Sequence, residues 1–176
     1  NGNGGDDILF GDKVEYGAEN GILALKSFIA DEVNKNASDV TAKEMQGYIT
    51  ANPGAMARFD GGAETGGDDT LTGGEGNDIL FGQGGSDTLN GGFGDDVFQW
   101  NFGDQGAIDE PANDVVKDFG NGADVLDVSD LLQDESEDTI SQYVMAAEEG
   151  DDTVLYLSSQ GSLAGDKDNA DQVVRL

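Results

Sequence analysis

A nine-residue period that combines glycine, aspartate and one large apolar side chain is the feature that most constrains this chain. Four consecutive copies follow one another from residue 64: ETGGDDTLT, GGEGNDILF, GQGGSDTLN and GGFGDDVFQ. A fifth copy, GNGGDDILF, begins at Gly2. In every copy the sixth residue is Asp and the eighth is aliphatic or Phe. Glycine-rich composition alone does not produce this register, so the pattern predicts a repeated structural unit.

Each copy joins a flexible turn to a short extended segment. Glycine adopts positive φ angles that side chains disfavour, so the first six residues can form a tight turn. The last three can form a strand whose eighth-position side chain points inward and stacks on its equivalents in neighbouring copies. The pattern therefore predicts a parallel β-solenoid with the sixth-position carboxylates aligned along its two edges.

Aligned carboxylates repel one another unless a cation lies between them. The chain has 37 Asp and Glu against 8 Lys and Arg, a formal net charge of -29. We therefore expect a cationic ligand, and neither nucleic acid nor an anionic membrane as a partner. Ca²⁺ accepts about six to eight oxygens with flexible geometry, whereas Mg²⁺ is stricter and keeps its waters. A cage of carbonyls and Asp side chains favours several calcium ions.

Composition also excludes several kinds of chemistry. The chain has no cysteine and no histidine, which removes disulfides, thiolate ligands and Ser-His-Asp triads. No apolar run approaches the ~18 residues of a membrane span, and no basic-apolar leader is present. With so many carboxylates, no single pair indicates a glycosidase, so we expect no enzyme within these residues. Because the chain opens at Asn1 inside a repeat, we expect it to be a portion of a longer protein.

The nonapeptide GGxGxDxUx resembles the calcium-binding repeat of RTX proteins. In that family two nonapeptides make one coil, so that loops eighteen residues apart stack and share ions. The resemblance implies that Asp69 faces Asp87 at one edge and that Asp78 faces Asp96 at the other. With the neighbouring glycine carbonyls, the implied metal-site residues are Asp7, Gly67, Asp69, Gly74, Gly76, Asp78, Gly85, Asp87, Gly92, Gly94 and Asp96.

The departures from the repeat carry their own expectations. Glu64 and Thr65 take the first two positions of the leading copy, and Asn3 and Gln83 replace second-position glycines. We expect weaker binding at those loops. The copy at Gly2 is expected to stack on a partner upstream of Asn1 or on the GDK that follows it.

Residues 13 to 60 lose the glycine period and predict helices. Ile22, Leu25, Phe28, Ile29 and Val33 form one apolar stripe on a helix from about residue 21 to residue 34. A second helix is predicted from a capping box of Thr41 with Glu44, with Met45, Tyr48 and Ile49 on its apolar side and Pro53 at its end. We expect these helices to cover one face of the solenoid rather than to bind a partner, since an apolar stripe is more often core than interface.

The last third of the chain predicts strands. Residues 114 to 132 place Val115, Val116, Val125 and Leu126 around a Gly-Asn-Gly turn, which indicates a hairpin or two adjacent strands. Ser129 is expected to cap a short helix with Leu131 and Leu132. The segments ISQYVMAAEE, DTVLYLSS and DQVVRL predict three more strands. Since an open solenoid end exposes unpaired backbone, this segment is placed to act as a cap.

The layout also resembles the C-terminal target region of type I secretion substrates. The matching residues are Asp114, Val116, Asp118, Phe119, Asp124, Leu126, Asp127 and Ser129. The order of one repeat, a helical insert and further repeats is most similar to the end of giant bacterial RTX adhesins of the biofilm and ice-binding kinds. The resemblance implies a secreted, cell-surface protein whose partners are the type I secretion machinery and the adhesin chain upstream, and we expect a monomer.

Two alternatives remain open. Similar rolls are appended to secreted proteases, lipases and epimerases, and a calcium ion with open coordination can bind a sugar. Direct ice binding is disfavoured because the third and fifth positions form no outward ladder of Thr and Asn.

The predicted fold class is therefore mainly β: a calcium-bound parallel β-roll with a helical insert and a C-terminal β-rich cap. The predicted divisions are residues 1–12 for an isolated repeat, 13–60 for the insert on the roll, 61–103 for the repeats, and 104–176 for the cap and secretion signal.

Overall fold

The computed structural model describes residues 1–12, 15–16, 19–52, 66–132, 135–136 and 139–176. The helices are α1 (Gly21–Val33) and α2 (Ala42–Ala51), with short 3-10 segments at Ala37–Asp39, Ile140–Gln142 and Lys167–Asn169. The strands are β1 (Asn3–Gly4), β2 (Ile8–Phe10), β3 (Glu15–Tyr16), β4 (Glu19–Asn20), β5 (Thr70–Glu75), β6 (Ile79–Phe81), β7 (Thr88–Phe93), β8 (Val97–Gln99), β9 (Ala112–Val116), β10 (Val125–Asp127), β11 (Val144–Glu149), β12 (Asp152–Leu157) and β13 (Gln172–Arg175).

Two sheets form the roll. The first has the order β1-β5-β7-β9-β13-β12-β11 and the second the order β10-β8-β6-β2. Each coil gives one strand to each sheet, and the coils pair in parallel, with Thr70 opposite Thr88 and Ile79 opposite Val97. The spacing between paired residues is the length of two nonapeptides. The predicted parallel β-roll is confirmed.

The copy at Gly2 belongs to the same roll as the later copies. Strand β1 pairs with β5, and β2 pairs with β6, which sets Ile8 opposite Ile79. The expectation that this copy stacks on a partner upstream of Asn1 or on the GDK segment is wrong, because its strands pair with β5 and β6. The helical insert separates the two coils in sequence, but it leaves and rejoins the roll without disturbing their register.

The roll continues for one coil past the last recognisable repeat. Strand β9 pairs in parallel with β7 in the first sheet, and β10 pairs in parallel with β8 in the second. The hairpin predicted around the Gly-Asn-Gly turn is therefore wrong, because the two strands lie in different sheets. Asp114 with Val116, and Asp124 with Leu126, keep the spacing of the sixth and eighth positions in this coil, although most of the surrounding glycines are missing.

The interior is one row of apolar side chains from each sheet. The eighth-position residues Leu71, Leu80, Leu89 and Phe98 are at most 5% exposed and pack with Trp100 and Val116. The prediction that the eighth residue points inward is confirmed. The core is thin, so each coil depends on its neighbours for burial.

The outer face of the second sheet is covered by the two helices. Seventh- and ninth-position side chains point outward there, and a second apolar cluster joins them to the helices. Its members are Ile8, Phe10, Ile79, Phe81 and Val97 of the sheet, with Ala24, Leu25, Phe28, Ile29, Ala30, Ala37, Val40, Met45, Tyr48 and Ile49 of the insert. Phe10 stacks on Phe81 with ring centroids 4.6 Å apart.

Both predicted helices are present, and the capping box of Thr41 with Glu44 is confirmed. One detail of the predicted stripe is wrong, since Val33 at the end of α1 is 42% exposed. The side chain of Ile22 and the predicted stop at Pro53 lie outside the described residues. No helix in the described ranges is both long and apolar enough to cross a bilayer.

Three strands close the roll at its C-terminal end. Strand β13 pairs in parallel with β9, and β12 and β11 follow it as antiparallel neighbours. The three predicted strands are confirmed. The short helix predicted after Ser129 is wrong for described residues 129 to 132, which form turns. Ser129 donates its backbone N–H and its hydroxyl to Asp127 Oδ1, so it closes a local turn rather than capping a helix.

Candidate metal centre

The sixth-position aspartates form two rows, one at each edge of the roll. In each row the backbone N–H of one Asp donates to Oδ1 of the Asp one coil later. One row runs through Asp7, Asp78, Asp96 and Asp124, with hydrogen bonds of 2.7, 2.9 and 3.0 Å. The other runs through Asp69, Asp87 and Asp114, at 2.8 and 2.7 Å. Oδ1 of each receiving carboxylate is therefore used to hold the coils in register.

The second carboxylate oxygen has a different environment. Oδ2 of Asp7, Asp78 and Asp87 is buried and receives no hydrogen bond from any described residue. A buried anionic oxygen without a partner is strongly disfavoured, since its loss of hydration is not compensated. These three atoms indicate that the folded roll needs a positively charged ligand at this position.

Backbone carbonyls lie beside these oxygens. A Cβ at Gly73 would lie within 2.5 Å of both Asp78 Oδ2 and the carbonyl oxygen of Gly91. A Cβ at Gly2 would lie within 2.6 Å of both Asp7 Oδ2 and the carbonyl oxygen of Gly73. Two oxygens that share such a point are at most ~5 Å apart, which one Ca²⁺ at about 2.3–2.6 Å from each can span. First-position glycines thus leave open the space beside the carboxylate.

The predicted second- and fourth-position glycines face one another between coils. The carbonyl of Gly74 points at Gly92, that of Gly76 at Gly94, and that of Gly67 at Gly85, each so closely that a side chain on the later glycine would overlap it. Five of these glycines have positive φ angles, from 104° at Gly92 to 148° at Gly94, and Gly67 is the exception. The structure therefore brings the predicted glycines together in pairs beside the carboxylate rows.

Second-position substitutions keep the backbone shape of the turn. Asn3 has φ 81° and Gln83 has φ 69°, so both adopt the left-handed conformation that glycine takes elsewhere. Gln83 also accepts a hydrogen bond at Oε1 from the backbone N–H of Asp12, at 2.9 Å. These loops retain the turn, and the expected weakening stays a prediction.

One repeat is split by the helical insert. Gly11 occupies the first position beside Asp69, because a Cβ there would lie within 2.9 Å of both Asp69 Oδ2 and the carbonyl oxygen of Gly82. Asp12 follows it and accepts a hydrogen bond at Oδ1 from the backbone N–H of Gly67, at 3.1 Å. The assignment of Glu64 and Thr65 to these positions is therefore wrong, and those two residues lie outside the described ranges. Joined across the insert, the repeat is GDGGDDTLT.

Fifth-position side chains form a second ladder that the sequence analysis missed. On one edge Asn77 donates its backbone N–H to Asp6 Oδ1, and Asp95 donates its own to Asn77 Oδ1, both at 3.0 Å. On the other edge Ser86 donates to Asp68 Oδ1 at 2.8 Å. These bonds run from the later coil to the earlier one, opposite to those of the sixth position. The signal was present, since the fifth residue is always Asp, Asn or Ser.

The rows are electrostatically strained without a cation. Burial, together with the neighbouring carboxylates of Asp114 and Asp69, raises the pKa of Asp87 to about 7. Burial likewise raises the pKa of Asp69, Asp78 and Asp96 above the usual range, and adjacent carboxylates add to the effect. A divalent cation beside Oδ2 would reverse this by favouring the charged form.

The donor set fits calcium. Within the described ranges no three acidic side chains cluster closely enough to hold a metal by themselves. The loops at Gly2, Gly11 and Gly73 instead offer a carboxylate oxygen with a backbone carbonyl beside it, the mixture that Ca²⁺ accepts and that softer metals do not prefer. When bound, the ion would supply positive charge between successive coils.

Comparison with known proteins identifies the repeats. Residues 1–13 and 65–98 match the family described as RTX calcium-binding nonapeptide repeat, in four copies. The comparison with curated proteins gave no match. Among solved structures, the chain is similar to the AlgE6R3 subunit of a mannuronan C5-epimerase from Azotobacter vinelandii, with 26% identity over 65% of this chain and 72% of that chain and a TM-score of 0.43.

At that TM-score the likeness supports no conclusion about fold or function, and the strand pairing defines the architecture. The matched residues coincide with the first three coils, including the split repeat on either side of the insert. They also contain all eleven predicted metal-site glycines and aspartates, from Asp7 to Asp96. Residues 1–13 and 65–98 are therefore the part of the chain that matches the RTX calcium-binding nonapeptide repeat.

Proposed function

We propose that this chain is a calcium-dependent folding module at the C-terminal end of a secreted RTX adhesin. The observation that carries the calcium part is the set of buried, unpartnered Oδ2 atoms of Asp7, Asp78 and Asp87. In the absence of a cation these oxygens oppose folding, and with calcium they become ligands. Folding and binding are then one process, as in other small domains whose metal site forms only in the folded state.

The calcium concentration outside a cell is suited to such a switch. Extracellular calcium modules bind with dissociation constants of about 10⁻⁴ to 10⁻³ M, so calcium-poor cytosol leaves them empty. A ligand at about 100 times its dissociation constant stabilises the folded state by ~2.7 kcal/mol per site. With a net charge of -29, the metal-free chain would stay expanded during export, and calcium outside would drive it to fold.

The secretion role rests on residues 104–176. Their resemblance to type I secretion target regions supports a signal function, and the pairing of β13 with β9 supports a capping function. We propose that the segment does both, recognised as an extended chain by the secretion machinery and folded as a cap once outside. The adhesin chain upstream would be the other partner, and the bacterial cell surface the site of action.

Circular dichroism of the chelator-treated chain tests the folding part. A cooperative transition from coil to β on adding sub-millimolar to millimolar calcium, and a weaker one or none with magnesium, is the expected result. A spectrum that is already folded and unchanged by calcium would overturn the proposal.

Export of a reporter tests the secretion part separately. The reporter is fused to the whole chain, to the chain without residues 104–176, and to the chain with Asp78→Asn and Asp87→Asn. Loss of export only in the truncated chain would support a signal in the tail. Normal export of the truncated chain would exclude it.

A further inference from the structure

Asp87 and Asp114 occupy equivalent positions in successive coils, yet their second carboxylate oxygens have different surroundings. Both residues are 1% exposed. The two stack directly, since the backbone N–H of Asp87 donates to Asp114 Oδ1 at 2.7 Å. Oδ2 of Asp87 is buried with no partner among the described residues. Oδ2 of Asp114 accepts hydrogen bonds from Trp100 Nε1 at 2.6 Å and from Gln172 Nε2 at 2.8 Å.

One donor comes from the repeats and the other from the cap. Trp100 directly follows β8 and is fully buried in the interior cluster. Gln172 begins β13 and lies opposite Ala112 of β9, two residues before Asp114. The orientation of its amide is fixed because Nε2 also donates to the carbonyl of Val173 at 3.2 Å, while Oε1 is buried without a partner. The end of the last repeat and the cap strand β13 therefore each place an N–H group on the same carboxylate oxygen.

An N–H donor and a cation compete for the same oxygen. The indole and amide N–H groups present hydrogen atoms, and a calcium ion at Asp114 Oδ2 would have to displace both of them. Displacement would leave two buried donors unsatisfied, at a cost comparable to that of an orphaned carboxylate oxygen. Calcium is therefore favoured at Asp87 and disfavoured at Asp114, although the two residues have the same place in the repeat.

We propose that Trp100 and Gln172 terminate this row of calcium sites by taking the place of an ion at Asp114. The inference rests on the proposed calcium binding and goes beyond it, because it says which carboxylate of the row holds no metal and which residues exclude it. The fourth coil is then stabilised on this edge by the protein itself.

Ion counting by native mass spectrometry of the calcium-saturated full chain tests the proposal, with two matched variants. Asp87→Asn should bind one ion fewer than the unaltered chain, whereas Asp114→Asn should bind the same number. Loss of an ion in Asp114→Asn would overturn this inference alone. An unaltered chain that binds no calcium would overturn both this inference and the proposed function.

A second measurement needs no variant, in case Asp114→Asn does not fold. Trp100 is the one tryptophan of the chain, so it gives a single indole N–H resonance in a ¹⁵N-correlated spectrum. In the calcium-saturated protein this proton should stay hydrogen-bonded and exchange slowly with solvent. Fast exchange at saturating calcium would show that an ion has displaced the indole from Asp114, and the proposal would fail.

Discussion

Asp78 donates its backbone N–H to Oδ1 of Asp96 at 2.9 Å, across a separation of 18 residues. The same aspartate type therefore performs two tasks with its two oxygens. Oδ1 accepts the backbone hydrogen bond from the preceding coil and so fixes the register, while Oδ2 of Asp78 is buried with no partner among the described residues. An Asn would keep the first task and lose the second, which separates stacking from metal binding experimentally.

Asp78→Asn is expected to weaken calcium binding while leaving the roll in register. The amide retains an acceptor for the N–H of Asp7 but carries no charge, so the affinity of its site should fall by about tenfold or more, or ~1.4 kcal/mol. Titration against a chromophoric chelator measures this. Asp95→Asn is the matched control, since Asp95 Oδ1 only accepts from the backbone of Ala123, and its affinity should stay close to that of the parent. Equal losses in the two variants would contradict the assignment.

Gly73→Ala is expected to destabilise the calcium-loaded roll. Its methyl group would overlap Asp78 Oδ2 and the carbonyl of Gly91, so coils two and three would have to separate, at a cost of about 1–3 kcal/mol. Denaturant unfolding at saturating calcium gives the free energy. Gly47→Ala in α2 is the control, because a Cβ there meets nothing within 4 Å, and it should stabilise by up to ~1 kcal/mol. If both substitutions stabilised the protein, the proposed crowding at the first position would be refuted.

Calcium affinity is expected to rise as pH increases towards neutrality. Because burial raises the pKa of Asp87 to about 7 and that of Asp114 to about 6 in the metal-free fold, the folded chain holds protons that the unfolded chain releases near pH ~4. Protonation thus stabilises the metal-free fold at low pH, and this contribution is lost as pH rises from about 4 through 7. Calcium, which requires the charged carboxylate, should bind with release of protons across the same window.

Calorimetric titrations at about pH 5.5 and about pH 7.5, in buffers of different ionisation enthalpy, measure the number of protons released when calcium binds. Asp87→Asn should reduce the number of protons released. A pH-independent affinity with no proton release would show that the carboxylates are already ionised in the metal-free fold.

Removal of residues 13–65 is expected to leave the register of the roll intact. The deletion joins Asp12 to Gly66 and restores one continuous nonapeptide, GDGGDDTLT, so calcium binding should persist. It also uncovers the outer face of the second sheet, where Ile79 and Phe81 now pack against the helices. The shortened chain should therefore lose stability and self-associate, and a companion carrying Ile79→Thr and Phe81→Thr should self-associate less. Analytical ultracentrifugation and calcium titration report the two effects, and loss of calcium binding in both chains would contradict the split-repeat assignment.

The nine-residue period was enough to predict the parallel roll and its inward eighth residue, and the resemblance to RTX repeats implied the stacking of Asp69 on Asp87. The same period also contains a signal for the two faces of the roll. Two copies in the second sheet carry large apolar residues at both the seventh and ninth positions, in the ILF of residues 8–10 and of residues 79–81, whereas copies in the first sheet carry Thr or Asn there, as in the TLT of residues 70–72. Strand alternation turns this difference into one covered face and one polar face.

Two other features lay beyond a search for contiguous glycine repeats. The fourth coil has Asp114 and Asp124 at sixth positions but few of the surrounding glycines, so strand pairing rather than sequence similarity reveals it. The split repeat takes Gly11 from before the insert and Asp69 from after it. Both the fourth coil and the split repeat depend on pairing between residues far apart in sequence, and a local sequence pattern does not specify that pairing. The contacts of Trp100 and Gln172 with one carboxylate depend on the closing strands in the same way.

The hydrogen bond between Asp12 and Gly67 places the two ends of the insert side by side on the roll. A segment whose two ends are adjacent is an insertion that leaves the surrounding fold unchanged, and insertion points of this kind tolerate the exchange of whole domains. The roll therefore carries a natural graft point at this position. Any domain with adjacent termini and an apolar face that matches the second sheet would fit there. The inserted domain can therefore change while the two rows of carboxylates stay the same.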